Sequence, residues 1–294
     1  MSDRISFYKG HGLGNDYIAL DLRDLRVYLS PMSIRLLCDR HTGVGADGIL
    51  GRTDSAVAAF GLRIFNPDGS EAEKSGNGLR IFAAYLLGLG EVSVGAPFTV
   101  ETPGGLVGMT VLSESADGVL MVEAEMGTAS FRSTAVGLRG PDRETDGEPL
   151  ELEAGDRVPI HTVSMGNPHC VVFVDELDSE DLRRRAPQIC AHPDFARGTN
   201  VQFARSVEAG VVEALVWERG AGETSASGSS ACAVAAAAVR AGIVAERQVE
   251  VRMPGGSLRV EVRDDWSVLL TGPVEGVYRG ELTAGMAARL KELG

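Results

Sequence analysis

Short apolar runs rich in β-branched residues, each bounded by Gly, Pro, Asp or Asn, dominate the hydrophobic pattern of the chain. The runs "YIALDLR", "GLRIFNP", "PFTVET", "VGMTVL", "GVLMVEAEM", "HTVSMG", "HCVVFVDE", "VQFARS", "GVVEALVWERG", "QVEVRMPG", "LRVEVRD" and "WSVLLTG" predict strands. Such residues pack well on a pleated surface, and the boundary residues turn the chain. Helical periodicity is confined to residues 30–41, 76–88, 179–190, 228–242 and 283–294. Residues 131–156 are polar and contain Pro and Gly, and they read as an insertion or extended loop. An α+β chain follows, with strand outweighing helix.

Two of the predicted helices begin alike. The strand "LRIFNP" leads through "DGSEAEKSG" into a helix at Gly76, and "VVEALVWERG" leads through "AGETSASG" into one at Gly228. Each helix mouth carries Ser then Gly, Ser75-Gly76 and Ser227-Gly228, about half the chain length apart. Repetition at that spacing predicts an internal duplication: two similar domains, each a mixed sheet or barrel around a central helix. A serine there can be an ordinary N-cap, accepting a hydrogen bond from an orphan N–H. Two mouths facing one another across an interdomain cleft would also grip a carboxylate with free N–H groups at the positive ends of two helix dipoles. Their side chains would then stand on opposite faces of the carbon bearing it, the geometry for removing a proton on one side and delivering one on the other.

Composition narrows the chemistry. With 294 residues, 44% hydrophobic, the chain is long enough for two domains. A formal net charge of −13 argues against a phosphate-backbone binder, which needs clustered cations, so nucleic acid is not an expected partner. The first residues hold no apolar leader core, and the longest apolar run, "ACAVAAAAV", is far short of a bilayer span. A cytoplasmic protein without a membrane partner is the expectation. Cys38, Cys170, Cys190 and Cys232 form no C-x-x-C pair and read as reduced thiols. The five histidines never fall at H-x-x-x-H spacing, so no metal is expected. Only Lys9, Lys74 and Lys291 could carry a pyridoxal Schiff base, the weaker enzymatic alternative.

Six motifs occur in one order: "KGHGLGNDY" (9–17), "DRHTGVGADG" (39–48), "FNPDGSEAEKSGNGLR" (65–80), "MGNPHCVVFV" (165–174), "GTNVQF" (198–203) and "ERGAGETSASGSSACA" (218–233). By these motifs the chain resembles the diaminopimelate epimerase family of amino-acid racemases and epimerases. The resemblance implies a two-base 1,1-proton transfer at the α-carbon of LL- or meso-diaminopimelate, in lysine and cell-wall precursor synthesis, with no cofactor. It implies that Asn15, Asn66, Asn167, Asn200, Glu218 and Arg219 bind this small amino-acid substrate, largely at its distal end. Gly76-Asn77 and Gly228-Ser229 correspond to the amides that hold the reacting α-carboxylate. It also implies domains at 1–124 plus 273–294 and at 125–272, with the ligand in the cleft between them. A homodimer is a further expectation.

The departure from the family lies at the bases. The family carries cysteine at positions 75 and 227, where this chain has Ser75 and Ser227. A thiol titrates near ~8.5, and lower at a helix N-terminus, whereas an unassisted hydroxyl is no useful base near neutrality. Three readings stay open at this point: an engineered double Cys→Ser form, a natural branch that recruits Lys74 as base, and a non-catalytic amino-acid-binding protein.

Overall fold

The computed structural model describes residues 5–23, 25 and 28–294, so the first four residues of the stretch read for a leader lie outside it. The chain forms two compact units, one made of the residues up to Ala124 together with Gly272–Gly294, the other of Glu125–Thr271.

The first unit contains β1 (Ser6–Gly12), β2 (Asn15–Asp21), α1 (Pro31–Cys38), β3 (Ile49–Thr53), β4 (Phe60–Phe65), β5 (Glu71–Ala72), α2 (Gly76–Gly88), β6 (Pro97–Thr102), β7 (Gly105–Glu114) and the start of β8 (Leu120–Thr128). Its pairings are β1–β2 antiparallel, β2–β3 parallel, β3–β4 antiparallel, β4–β6 parallel, then β6–β7 and β7–β8 antiparallel.

The second unit repeats that plan. After β9 (Asp146–Glu151) come β10 (Arg157–Ser164), β11 (Pro168–Phe173), α3 (Ser179–Cys190), β12 (Asn200–Glu208), β13 (Val211–Glu218), β14 (Gly222–Thr224), α4 (Gly228–Arg240), β15 (Gln248–Met253), β16 (Gly256–Val262) and the start of β17 (Ser267–Glu281). Here β10–β11 are antiparallel, β11–β12 parallel, β12–β13 antiparallel, β13–β15 parallel, β15–β16 and β16–β17 antiparallel. The end of β17 returns to pair antiparallel with β1, and α5 (Ala284–Leu293) follows. The fold is therefore α+β, built as two similar domains.

Each unit buries one helix nearly all round, which is why neither helix shows a polar stripe. In α2 every residue from Gly76 to Leu86 is buried. In α4 the buried face is almost wholly alanine, Ala231 to Ala238 interrupted by Cys232 and Val234, small enough for strands on all sides to approach. The outer helices are amphipathic instead. Ile34 and Leu37 of α1 pack on Ile18, Leu20 and Ile49, while Leu182, Ala186 and Ile189 of α3 pack on Ile160, Val172 and Phe203.

The stretch 131–156 is less loop-like than its composition suggests. Residues 133–136 form a 3₁₀ turn, and Asp146–Glu151 is strand β9, paired antiparallel with β10. Leu150 and Leu152 are buried in the outer core of the second unit, and two isolated leucines were too sparse for a period to register. Among the described residues no helix is long and apolar enough to cross a membrane.

Candidate active site

Asn15 is delivered by a strained turn. The β1–β2 hairpin closes with Gly12 opposite Asn15, and both central residues have positive φ, Leu13 at 55° and Gly14 at 85°. That matches the twist of a two-residue hairpin, but a leucine there costs about 1 kcal/mol. Asn15 thus starts β2 beside the mouth of α2.

At that mouth Ser75 is extended (φ −139°, ψ 119°), and its Oγ accepts from the Gly78 N–H at 3.1 Å. A Cβ at position 78 would lie 2.9 Å from Leu50 and 3.2 Å from Ser75 Oγ, so glycine is what lets the cap close. Tyr17 Oη sits 3.3 Å from the same Oγ. Asn77 Nδ2 donates to Asn15 Oδ1 at 3.2 Å, and Asn15 Nδ2 donates to Asp47 Oδ2 at 3.0 Å. Behind them lies an ionic cluster in which Asp16 pairs with Lys9 and Arg40 at 2.7 and 2.8 Å. Burial alone would raise the Asp16 carboxyl, yet hydrogen bonds from Arg40 and Lys9 hold it well below the usual carboxylate range. Asn66 lies farther along the chain in a turn of its own, its Nδ2 donating to Ser70 Oγ at 2.9 Å. Lys74 is half-buried, immediately before Ser75.

The second mouth has the same backbone and different partners. Ser227 is extended (φ −145°, ψ 125°) and buried, but its hydroxyl makes no capping bond. Glu218, at the end of β13, lies near enough for that hydroxyl to act on it. Burial raises the Glu218 carboxyl above its ordinary value, and the Ser227 hydroxyl, which favours the ionised form, pulls it partly back. Asn167 Oδ1 accepts from His169 Nε2 at 3.0 Å, while Gln202 Nε2 donates to His169 Nδ1 at 3.1 Å and to Ser230 Oγ at 3.0 Å. His169 is wholly buried, and desolvation lowers it to about 3, so it is neutral, with its proton on Nε2. The Asn167 Nδ2 then points toward Ser229 Oγ, at 3.5 Å. Asn200 is occupied at both ends, its Nδ2 donating to Pro168 O and its Oδ1 accepting from the Arg219 N–H, each at 3.0 Å. The exposed Arg219 guanidinium donates to Arg197 O at 2.9 Å.

Within the first unit the structure gathers Asn15, Ser75, Gly76 and Asn77, and leaves Asn66 in a separate turn. Within the second it gathers Asn167, Glu218, Ser227, Gly228 and Ser229, with Asn200 holding the Arg219 backbone. Sequence reasoning missed Tyr17, Asp47 and Gln202. It also missed Arg80, although a lone cation in the apolar helix "GNGLRIFAAYLL" was a readable signal. None of Cys38, Cys170 and Cys190 is poised as a thiolate: burial pushes Cys38 up to about 12, Cys170 higher still, and raises Cys190. Cys232 is fully buried within α4.

The family model described as diaminopimelate epimerase matches residues 7–132 and 161–277. A diaminopimelate epimerase 2 from a Nostoc species is 42% identical over 285 residues, covering 97% of this chain and 98% of its own. The diaminopimelate epimerase of Pelotomaculum thermopropionicum is 42% identical over 277 residues, covering 94% and 98%. Among solved structures, a hydroxyproline epimerase from Agrobacterium vitis with bound trans-4-hydroxy-L-proline superposes with a TM-score of 0.68 at 15% identity, covering 96% of this chain and 91% of that one. A phenazine biosynthesis protein of Bacillus anthracis gives 0.64 at 16% identity, covering 96% and 100%. At such identities the likeness is one of fold.

Proposed function

We propose that this chain, which belongs to the diaminopimelate epimerase family, is an isomerase that moves a proton from one face of the α-carbon of diaminopimelate to the other without a cofactor, with serine at both base positions. The observation that carries the reading is the pair of like helix mouths, one in each unit, each opening on an extended Ser followed by Gly. Free N–H groups at N1 and N2 suit a carboxylate, and stabilising the carboxylate as it takes up carbanion charge is what lowers the barrier.

Neither hydroxyl is a base by itself, and each has a second group. At Ser227 the α-proton passes to Oγ as the hydroxyl proton passes to the Glu218 carboxylate: a C–H and an O–H bond break, and two O–H bonds form. A carboxyl raised by burial is the stronger base for that step. Ser75 gives its hydroxyl proton to the carbanion and takes one from Tyr17. Solvent then resets Glu218 and Tyr17. A phenol near ~10 and a hydroxyl relay are poorer than two thiols, so the enzyme is slow. Asn167, Arg219 and Asn66 would meet the distal end of the substrate, with Asn200 holding Arg219 in place.

The test is exchange of the α-hydrogen of both diaminopimelate stereoisomers in deuterated solvent, followed by NMR, with calorimetric binding alongside. Exchange that survives Lys74→Met and falls in Glu218→Gln supports the reading. No binding of diaminopimelate, with another amino acid bound, would overturn the substrate assignment.

A further inference from the structure

The polar side chains at the first helix mouth form a chain with a direction. Arg80, wholly buried (0% exposed), is the one charged residue of α2. Its Nη2 donates to Asn77 Oδ1 at 2.8 Å, and its Nη1 to Gly76 O at 3.2 Å. Asn77 Nδ2 donates to Asn15 Oδ1, and Asn15 Nδ2 to Asp47 Oδ2. The other Asp47 oxygen accepts from Arg40 Nη2 at 2.7 Å.

An asparagine amide turned end for end exchanges acceptor for donors within almost the same volume, so packing alone does not fix which way it points. Here the two ends of the chain fix it. A guanidinium has only donors and an ionised carboxylate only acceptors. Reversing Asn77 would set N–H against N–H at Arg80, and reversing Asn15 would set oxygen against oxygen at Asp47. Both amide oxygens are therefore used inside the protein, and each amide keeps a second N–H. The Gly76 and Asn77 backbone N–H groups, at N1 and N2, have no intrahelical acceptor, and the Ser75 oxygen already accepts from Gly78. What remains for a ligand is a set of donors.

Given the reading above, in which this mouth takes the α-carboxylate of an amino acid, we infer that Arg80 is a positioning residue: together with Asp47 at the far end of the chain, it pins the Asn77 and Asn15 oxygens inward, makes the mouth donor-only and so selects a carboxylate over a carboxamide. A ligand –NH₂ placed there meets N–H groups and finds no acceptor, which rejects it through unpaired buried polar groups.

Two measurements on the full chain test this. Calorimetry compares diaminopimelate with its α-monoamide. Independently of that substrate, isotope-labelled glycine reports at Gly76 on titration with acetate and with acetamide. The unmodified chain should prefer the carboxylate in both pairs, by about 100-fold for the diaminopimelate pair. Arg80→Met combined with Asp47→Asn should cut that preference to below about tenfold, because neither end of the chain then sets the amides and Asn77 can turn its oxygen outward. Asn77→Asp puts an acceptor at the mouth and should reverse the preference, whereas Arg80→Lys, which can still donate to Asn77 Oδ1, should keep it; a lost preference in Arg80→Lys counts against the inference if the double variant does not fold. A merely structural role for Arg80 would weaken both ligands by the same factor, and that outcome, or an Asn77→Asp chain that still prefers carboxylate, overturns the inference. If acetate is preferred at Gly76 while diaminopimelate does not bind, the substrate reading fails and the donor-only mouth stands.

Discussion

Replacing each mouth serine by alanine should separate two roles that the sequence cannot distinguish. Ser75 caps α2 through the 3.1 Å bond from Gly78 N–H, so Ser75→Ala loses a cap worth about 1 kcal/mol. For a chain of this size that lowers Tm by about 2–4 °C. No titrating group takes part in that bond, and the loss should be the same at pH 4 and pH 8. Ser227 makes no capping bond and instead stabilises the ionised, half-buried Glu218. Burial raises the folded-state pKa of Glu218 above its unfolded value, so ionising it costs stability that is absent below the unfolded pKa and grows as pH rises through the folded one. Removing the Ser227 hydroxyl raises that folded pKa further. Ser227→Ala should therefore be close to neutral near pH 4 and cost about 1–2 kcal/mol at pH 8, where a hydrogen bond to a charged group is lost. Calorimetric unfolding of both variants against the unmodified chain at the two pH values reads the difference directly. A Ser227→Ala cost as large at pH 4 as at pH 8, or a neutral Ser75→Ala, would refute this division of roles.

Ser75→Cys with Ser227→Cys should speed α-hydrogen exchange by at least about 100-fold, since a thiol near ~8.5 gives a few per cent thiolate at neutrality, and each single change should do far less. Equal rates in the double variant and the unmodified chain would refute it. Glu218→Gln should slow exchange by about 10²-fold and remove the acid limb of the pH–rate profile, because the acceptor of the Ser227 proton is gone. Arg219→Ala should weaken diaminopimelate binding by about 1.5–3 kcal/mol through loss of a charge-assisted pair, and unchanged calorimetric affinity would exclude Arg219 from the distal pocket.

Local pattern carries the elements of this chain because the periods of strand and helix are local properties. The runs at 97–102 and 248–255 and the helices at 76–88 and 179–190 need only their own residues to be recognised, and β6, β15, α2 and α3 lie there. The two Ser-Gly mouths and the six ordered motifs were legible for the same reason, and with them the family and the duplicated α+β plan. Strand β9 was not, because its burial comes from a core supplied by α3 and its neighbouring strands. The difference between the two serines was invisible too. Ser75 and Ser227 each precede a glycine at a helix mouth, and only folding brings Tyr17 to one and Glu218 to the other. The direction of the amides likewise depends on Asp47 reaching Asn15 and on Asn15 reaching Asn77, across 32 and 62 residues of chain. Hydrogen-bond direction and desolvation are set by what surrounds a group in three dimensions. The sequence therefore determined which residues stand at the mouths, and the tertiary structure decided which oxygens are used, which carboxyl is raised and which serine is a cap.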